Sequence, residues 1–503
     1  MKNQPSIWLA SIALLVISSC FPDRFEVAEP ENWNPAFGVP LINTSFSIND
    51  LLEDLDDGSL IQTDIANRLT VVYKDRIEVA PEFEIDPLPT IPIPIMQKEQ
   101  TVEYQAPGTN RYEIIRLKAG QFQYTVFNSF PEEVAFSLSF LNLRLDGDSL
   151  TFAETLPPAD MNGPSETTGT VDLTAYELKL NEDIETLYTA NLTSDNSPVD
   201  LPPFLTTISG MDYTYIQGYF GKFDVRLPGD SLEFAFLDNW DAGELEFLEP
   251  VINLTFYNTM GIPLELQSDT FDLLTYKNGA VALDNPLLSS GLLFAYPSID
   301  EVGVAKPTLL SLNAENSNIV PAISGVPYQL NYAFSAVANP NENNLLTNHL
   351  TDSVKVDIDV EVEIPLFARA KGFRIVDTFE IDFADLEDLE RLGFKMIAEN
   401  GFPLEVGMQL QFMNDAGVVF DSLFQSGPRL VVSGNLRPDG SVSTSQTTTL
   451  ESEFSGDQLQ QILRNTTEGR VIATLESPNN GAEAARMLDT YTLGVRLGIL
   501  AGF

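Results

Sequence analysis

TVFNSFPEEVAFSLSF (residues 125–140), LTFYNTMGIPLELQS (254–268) and MIAENGFPLEVGMQLQF (396–412) decide the fold. Each is an apolar-alternating run that ends in Asn, passes through a Pro-containing turn and starts a second alternating run. Alternation at period two marks half-buried strands. Asn tolerates left-handed backbone and bonds its own main chain, so Asn128, Asn258 and Asn400 are read as turn residues. In the first copy Phe136, Leu138 and Phe140 share one face. Farther on, Val354, Val356, Ile358, Val360 and Val362 alternate with Lys355, Asp357, Asp359 and Glu361, giving one apolar and one polar face.

Working outward, DSLEFAF (230–236) and DTFEIDF (377–383) precede the second and third copies. Behind them, NSNIVPAISGVPYQLNYAFSAVANPN (316–341) and SGDQLQQILRNTTEGRVIATLESPNN (455–480) each read as a helix-like stretch and a strand running into a Pro turn. LYTANLTSDNSP (187–198) is a weaker equivalent in the first unit. The Asn positions lie 130 and 142 residues apart, and Pro198, Pro340 and Pro478 lie 142 and 138 apart. Several landmarks agreeing on one period indicate internal repeats. The expected fold is mainly β: tandem β-sandwich repeats of immunoglobulin/fibronectin-like type, each with one short helix, because two packed sheets bury such faces. The expected units are 96–210, 211–345 and 346–503. The order strand, Asn, turn, Pro-Leu, strand and late helix resembles the late-embryogenesis-abundant water-stress-type domain, a sandwich related to fibronectin type III. The match lacks that family's Asn-Pro pair at the first turn.

Ahead of the repeats, WNPAFGVPLINTSFSINDLLEDLDDG follows from Trp33. Asn49 is placed to cap a short helix over 50–57 that Gly58 stops. RLTVVY (68–73) reads as a strand. Pro81, Pro87, Pro89, Pro92 and Pro94 rule out a regular central strand over 81–95, which is read as an extended connector. Residues 20–95 are therefore expected to hold a tether, a small N-terminal module and this connector.

The chain begins MKNQPSIWLASIALLVISSC. Lys2 precedes an apolar run, Ile7 to Ile17, of signal-peptide length and too short for a bilayer core, which needs roughly 20 residues. Ile17-Ser18-Ser19-Cys20 resembles the lipobox of bacterial lipoproteins. The resemblance implies that residues 1–19 are a signal peptide removed by signal peptidase II and that Cys20 carries a diacylglyceryl anchor. Two or three acyl chains hold a protein stably where one does not. Cys20 is the single cysteine of the chain; once lipidated it leaves no thiol for a disulfide or for redox work.

Composition excludes several chemistries. With 27 basic and 73 acidic residues the formal charge is −46, and −47 without Lys2. Such a polyanion is repelled by phosphate backbones, so no nucleic-acid partner is expected. The single histidine, His349, lies in the polar stretch NPNENNLLTNHLTD (339–352) and is read as a solvated loop residue. It lacks the partners that a triad, a zinc site or a Cys–His pair requires. No phosphate-cradling glycine motif is present. Paired carboxylates could run glycoside hydrolysis, but only at a defined separation in a cleft. In the acid cluster Asp50, Glu53, Asp54, Asp56 and Asp57, an EF-hand reading fails because Leu55 falls where an oxygen ligand is needed. Asp146, Gly147 and Asp148 read as a tight turn, and Tyr215, Tyr219 and Phe220 of YIQGYFG as core. No cofactor and no catalytic residue is expected; metal ligands are left unassigned, with Ca²⁺ an unsupported option.

WNPAFGVPLINTSFSINDLL, YIQGYFG and the closing TYTLGVRLGILAGF make the whole chain resemble large lipoproteins of Bacteroidota. That resemblance implies an outer-membrane location, lipid-anchored, and no particular activity. Surface lipoproteins of that group carry acids soon after the anchor, and Asp23 and Glu26 fit, with Arg24 interrupting; this favours the cell surface over the periplasm. The expected role is a non-enzymatic scaffold or binding partner for other envelope proteins. The alternatives are a carrier of apolar ligands and a carboxylate-based hydrolase such as a glycosidase. An exposed apolar patch would favour the first, an apolar tunnel the second, and a deep cleft with facing acids the third.

Overall fold

The computed structural model describes residues 36–47, 59–83, 88–106, 108–180, 183–234, 237, 240–381, 383 and 389–502. Among the described residues strand accounts for 61% and helix for 6%, so the fold is mainly β, built of antiparallel sheets that pack as sandwiches.

In the first sandwich, the strand Arg111–Asn128 lies between Phe204–Tyr219 and Ser165–Asp172, while Val134–Leu145 lies between Asp148–Leu156 and Ile184–Leu192. The short strand Glu177–Lys179 pairs with both central strands and joins the layers. Their inner faces meet through Phe122 on Phe140 at 4.8 Å and Phe136 on Phe204 at 5.8 Å between ring centres. The second sandwich opposes a sheet centred on Pro327–Ala338, flanked by Leu264–Thr275 and Phe223–Glu233, to one centred on Val356–Pro365, flanked by Leu69–Ile77 and Val251–Asn258. Phe256 meets Phe334 edge-on at 5.5 Å across it. The third opposes Phe367–Glu380, Glu468–Glu476 and Glu405–Met413 to Thr492–Gly502, Arg391–Asn400 and Gln446–Ser455. Phe412 and Phe454 meet there at 6.0 Å, beside the helix Gly456–Asn465, which buries Leu459, Ile462 and Leu463.

The three asparagines occupy equivalent places. Each ends a strand and is buried to 1% exposure or less. In each, Oδ1 accepts the amide two residues on: Phe130, Met260 and Phe402, all at 2.8 Å. Nδ2 then donates to a carbonyl far ahead in sequence: Pro157 at 2.8 Å, Ala295 at 3.2 Å and Val432 at 2.9 Å. Asn128 and Asn400 also donate to the carbonyl four residues on, Glu132 and Leu404. The side chain thus closes its own turn and clamps the return of a connection 29 to 37 residues long.

The N-terminal stretch departs from the sequence reading. Its described strands build no sheet of their own: they are shared among the three sandwiches. Ala36–Ser47 pairs with Thr492–Gly502 in the third. Ser59–Thr63, Leu69–Ile77 and Glu82–Phe83 join the second, and Ile91–Ile95 and Glu99–Val102 the first. The proline-rich connector is partly an edge strand: Ile91, Ile93 and Ile95 are buried, and pairing on one side alone, with Phe204–Tyr219, tolerates Pro92 and Pro94, which have no amide hydrogen. Strands also cross the expected borders. Trp240–Phe247 pairs with Phe367–Glu380, and Asn348–Thr351 pairs with Phe204–Tyr219. Partner choice is non-local, and a repeat period says nothing about which sheet a connecting strand joins. Short helices stand at Pro286–Ser290 and Ile319–Ile323 in the second unit and at Gly456–Asn465 and Pro478–Gly481 in the third; the described part of the first unit holds none. The helix expected over 50–57 lies outside the described residues.

Candidate interaction surface

In the second repeat, the connection that Asn258 clamps is folded into a rigid frame. Asn285 Oδ1 accepts the Leu287 amide and starts the short helix Pro286–Ser290. Gly291, at φ 84°, turns the chain into Leu292–Leu293, which pairs with Leu264–Thr275. Phe294 is buried 4.8 Å from Phe256, and the Ala295 amide donates to Thr308 Oγ1 at 2.8 Å. Glu301 then fastens the loop, accepting from the Ser298 amide and hydroxyl and from Lys306 Nζ at 2.6 Å. The Lys306 bond, followed by those from Ser298, holds its carboxyl down at about 2. Glu301 therefore stays ionised at neutral pH and available to Lys306 and Ser298.

This frame displays apolar side chains to solvent. Leu293, Tyr296, Ile299, Val302, Val304 and Leu309 are all exposed, between 40% and 57%, with Leu287 on the adjoining helix. Single exposed leucines are ordinary, whereas seven large apolar side chains exposed within residues 287–309 make this segment a candidate interaction surface. Sequence reading missed it because the same residues, at this spacing, read equally well as core.

A cleft of about 560 Å³ lies at the seam of the first two sandwiches, lined by Ala80, Pro81, Phe83, Asp212, Tyr213, Thr351, Asp352 and Val354. Register shifts in Phe204–Tyr219 around Asp212 and Tyr213 turn these side chains into it. Lys118 Nζ holds Asp352 at 3.0 Å, and that bond raises the Lys118 pKa. Burial, then the Asp212 and Asp352 carboxylates, pushes Tyr213 upward, so its hydroxyl stays protonated.

His349 is not a solvated loop residue. It sits in the strand Asn348–Thr351 at 1% exposure, its ring stacked on Tyr215 at 6.1 Å. Arg116 lies over the Tyr215 ring at 4.8 Å. Gly261, in the turn of the second repeat, faces the imidazole and exchanges two main-chain bonds of 3.1 Å with His349. The preceding polar loop is pinned by Arg111, which donates to the Asn344 and Leu346 carbonyls. His349 Nε2 has no hydrogen-bond partner among the described residues. Burial holds the imidazole below its ordinary value of 6.5. The unfolded chain therefore takes up the proton first, and this contribution to stability, complete above the ordinary value, is lost as pH falls below it. Between about pH 7.5 and about pH 5 the melting temperature of the native chain is expected to drop more than that of His349→Gln. Parallel drops in the two proteins would refute the assignment.

Tyr215, Tyr219 and Phe220 are buried, as core residues. Asp146 (φ 51°) and Gly147 (φ 94°) form the two-residue turn between Val134–Leu145 and Asp148–Leu156. Among the described residues no group of three or more His, Cys, Asp or Glu is placed to hold a metal ion, and no helix is long and apolar enough to cross a membrane. Cys20 and the acids of 50–57 lie outside the described residues.

No protein-family model and no curated protein matches the chain. Among solved structures it is similar to a protein described as secreted from Parabacteroides distasonis ATCC 8503, at 10% identity over 92% of this chain and 99% of that one, with a TM-score of 0.28. It is also similar to the infectious bursal disease virus Gx strain structure (8% identity, 89% of this chain, 82% of that chain, TM-score 0.14). A third likeness is to a chain of the lipid-containing bacteriophage PM2 (7% identity, 82% and 100%, TM-score 0.13). TM-scores this low carry nothing about function.

Proposed function

We propose that this chain is an exported lipoprotein, held at the outer membrane by lipid on Cys20, that serves without catalysis as a scaffold or binding partner in a cell-envelope assembly. The apolar patch on the 287–309 segment carries this reading. Its frame is fixed before any partner arrives, through the Asn258 clamp and the Glu301 hub, so binding there orders little additional chain. The seam cleft supports a carrier or a hydrolase less well. Its lining mixes apolar and charged groups, and Lys118 already neutralises Asp352.

The test is an affinity pull-down from solubilised outer membranes with the full-length chain and with a Leu293→Asp, Leu309→Asp variant. A protein recovered with the native chain is expected to fall about tenfold with the variant. Cys20→Ala is expected to leave the precursor uncut and unlipidated, by mass spectrometry of the N-terminus, with partner recovery from detergent unchanged. Undiminished recovery with the patch variant would end the scaffold reading at this surface. Turnover of a glycan, ester or peptide by the purified chain, abolished on changing Asp212 or Asp352, would establish the hydrolase instead.

A further inference from the structure

Open sheet edges invite strand addition, and several edges among the described residues are blunted. Ile91–Ile95 carries Pro92 and Pro94. Lys306–Leu312 carries Pro307, and Asn316 Nδ2 caps its Ser311 carbonyl at 2.9 Å. Trp240–Phe247 is broken by register shifts at Ala242. Gln446–Ser455 is tied down by side-chain bonds, Thr448 to the Val432 amide and Ser452 to the Leu423 carbonyl.

Ser165–Asp172 has no proline and no register shift, and its side-chain ties are confined to its ends, Ser165 Oγ to the Pro157 carbonyl and Asp172 Oδ1 to the Thr174 amide. It pairs only with Arg111–Asn128, in unbroken register from Ser165↔Asn128 to Asp172↔Gln121, and contains no Pro, Lys or Arg. The Leu173 amide bonds to the Gly120 carbonyl at 2.9 Å, which sets the alternation. Odd-numbered residues bond inward to Arg111–Asn128; Glu166, Thr168, Thr170 and Asp172 aim their amides and carbonyls outward. Among the described residues those outward groups have no main-chain partner. The strand cannot sink into the sandwich either, because Gly169 already lies flat on the Tyr124 ring, where a Cβ would come within 2.2 Å. Thr167, Thr168, Thr170 and Val171 are β-branched and hold the extended conformation. Between residues 145 and 178 the chain has seven acidic side chains and no Lys or Arg.

We propose that this edge accepts one further strand: an extended, Lys- or Arg-bearing segment of a partner protein, joined by main-chain hydrogen bonds to Glu166, Thr168, Thr170 and Asp172. The main-chain groups supply the pairing and the acidic surroundings select the sign of the incoming side chains. A second copy of this chain is opposed by the same charge. The edge is on the first sandwich, apart from the apolar patch on the second, so either surface can fail without the other.

The probe is a fluorescent peptide alternating Lys with Thr and Val, bound to the full-length chain in neutral detergent and read by anisotropy. A Glu-for-Lys version and a version with Pro at alternate positions are expected not to bind. Thr168→Pro and Thr170→Pro remove outward amides while sparing the inward ladder, and together are expected to weaken the Lys peptide about tenfold. Thr168→Lys, which leaves every main-chain bond in place, is expected to weaken it through charge. Hydrogen exchange supplies a readout independent of affinity. The Thr168 and Thr170 amides are expected to exchange fast in the free protein and slowly with peptide, while Thr167, Gly169 and Val171 are slow in both. Equal binding of the Pro-interrupted peptide, unchanged affinity in the double Pro variant, or a chain that dimerises through this strand would each overturn the proposal.

Discussion

Asn400→Ala is expected to destabilise the third sandwich by at least about 3 kcal/mol, since it leaves three buried main-chain groups unpaired at roughly 1–3 kcal/mol each. The variant strands the Phe402 amide and the Leu404 and Val432 carbonyls, at a site of 0% exposure where water has no access. Asn128→Ala should act alike in the first sandwich, because it makes the same set of bonds. Asn258→Ala should cost less, since its amide donates to Ala295 alone, and at 3.2 Å. Asn400→Asp keeps the acceptor for Phe402 but sets a carboxylate against two carbonyls, so its damage is expected to ease as the pH falls and the acid gains a proton to donate. Native-state hydrogen exchange of Glu405–Met413 measures the loss locally, which suits a chain of several cores. A change below about 1 kcal/mol in Asn400→Ala would show that the clamp is ornamental to stability.

Gly261→Ala is expected to cost about 3 kcal/mol, at the upper end for overpacking a filled site. Its Cβ would stand 2.0 Å from Nδ1 and 2.1 Å from Cε1 of His349, and the two main-chain bonds between these residues keep the backbones from parting. His349→Ala alone should cost roughly 2 kcal/mol for the space it opens. Combined, the substitutions should cost less than their sum by about 2 kcal/mol, since the new methyl enters the vacated ring position. Strict additivity in urea titrations of the four proteins would mean that the ring and the glycine do not meet.

How much of this was legible beforehand varies with the range of the interaction. Val356, Ile358, Val360 and Val362 are buried and the acids between them face out, where Lys74 and Arg76 pair with Glu361, Asp357 and Asp359. Alternation is a property of one strand, and one strand suffices to read it. The asparagine turns were legible for the same reason: the bond to the second amide on lies within the motif. Their other role was not, because the carbonyl each one clamps lies 29 to 37 residues away. His349 shows the opposite failure. Its stretch is polar enough to read as solvated, yet Arg111 fastens the loop from 233 and 235 residues away and Gly261 covers the ring.

By itself, then, the sequence determined the strands, their inward faces, the repeat and the turn residue that marks it, because period-two burial and Asn turn chemistry are local. Only the tertiary structure decided the rest. It spread the strands of residues 36–102 over three sandwiches, paired Ala36–Ser47 with Thr492–Gly502, buried the single histidine, and left the 287–309 side chains exposed and the outer edge of Ser165–Asp172 without a main-chain partner among the described residues. Each of these depends on which distant surface comes to lie opposite, and the free energy of that choice belongs to the pair of surfaces rather than to either segment.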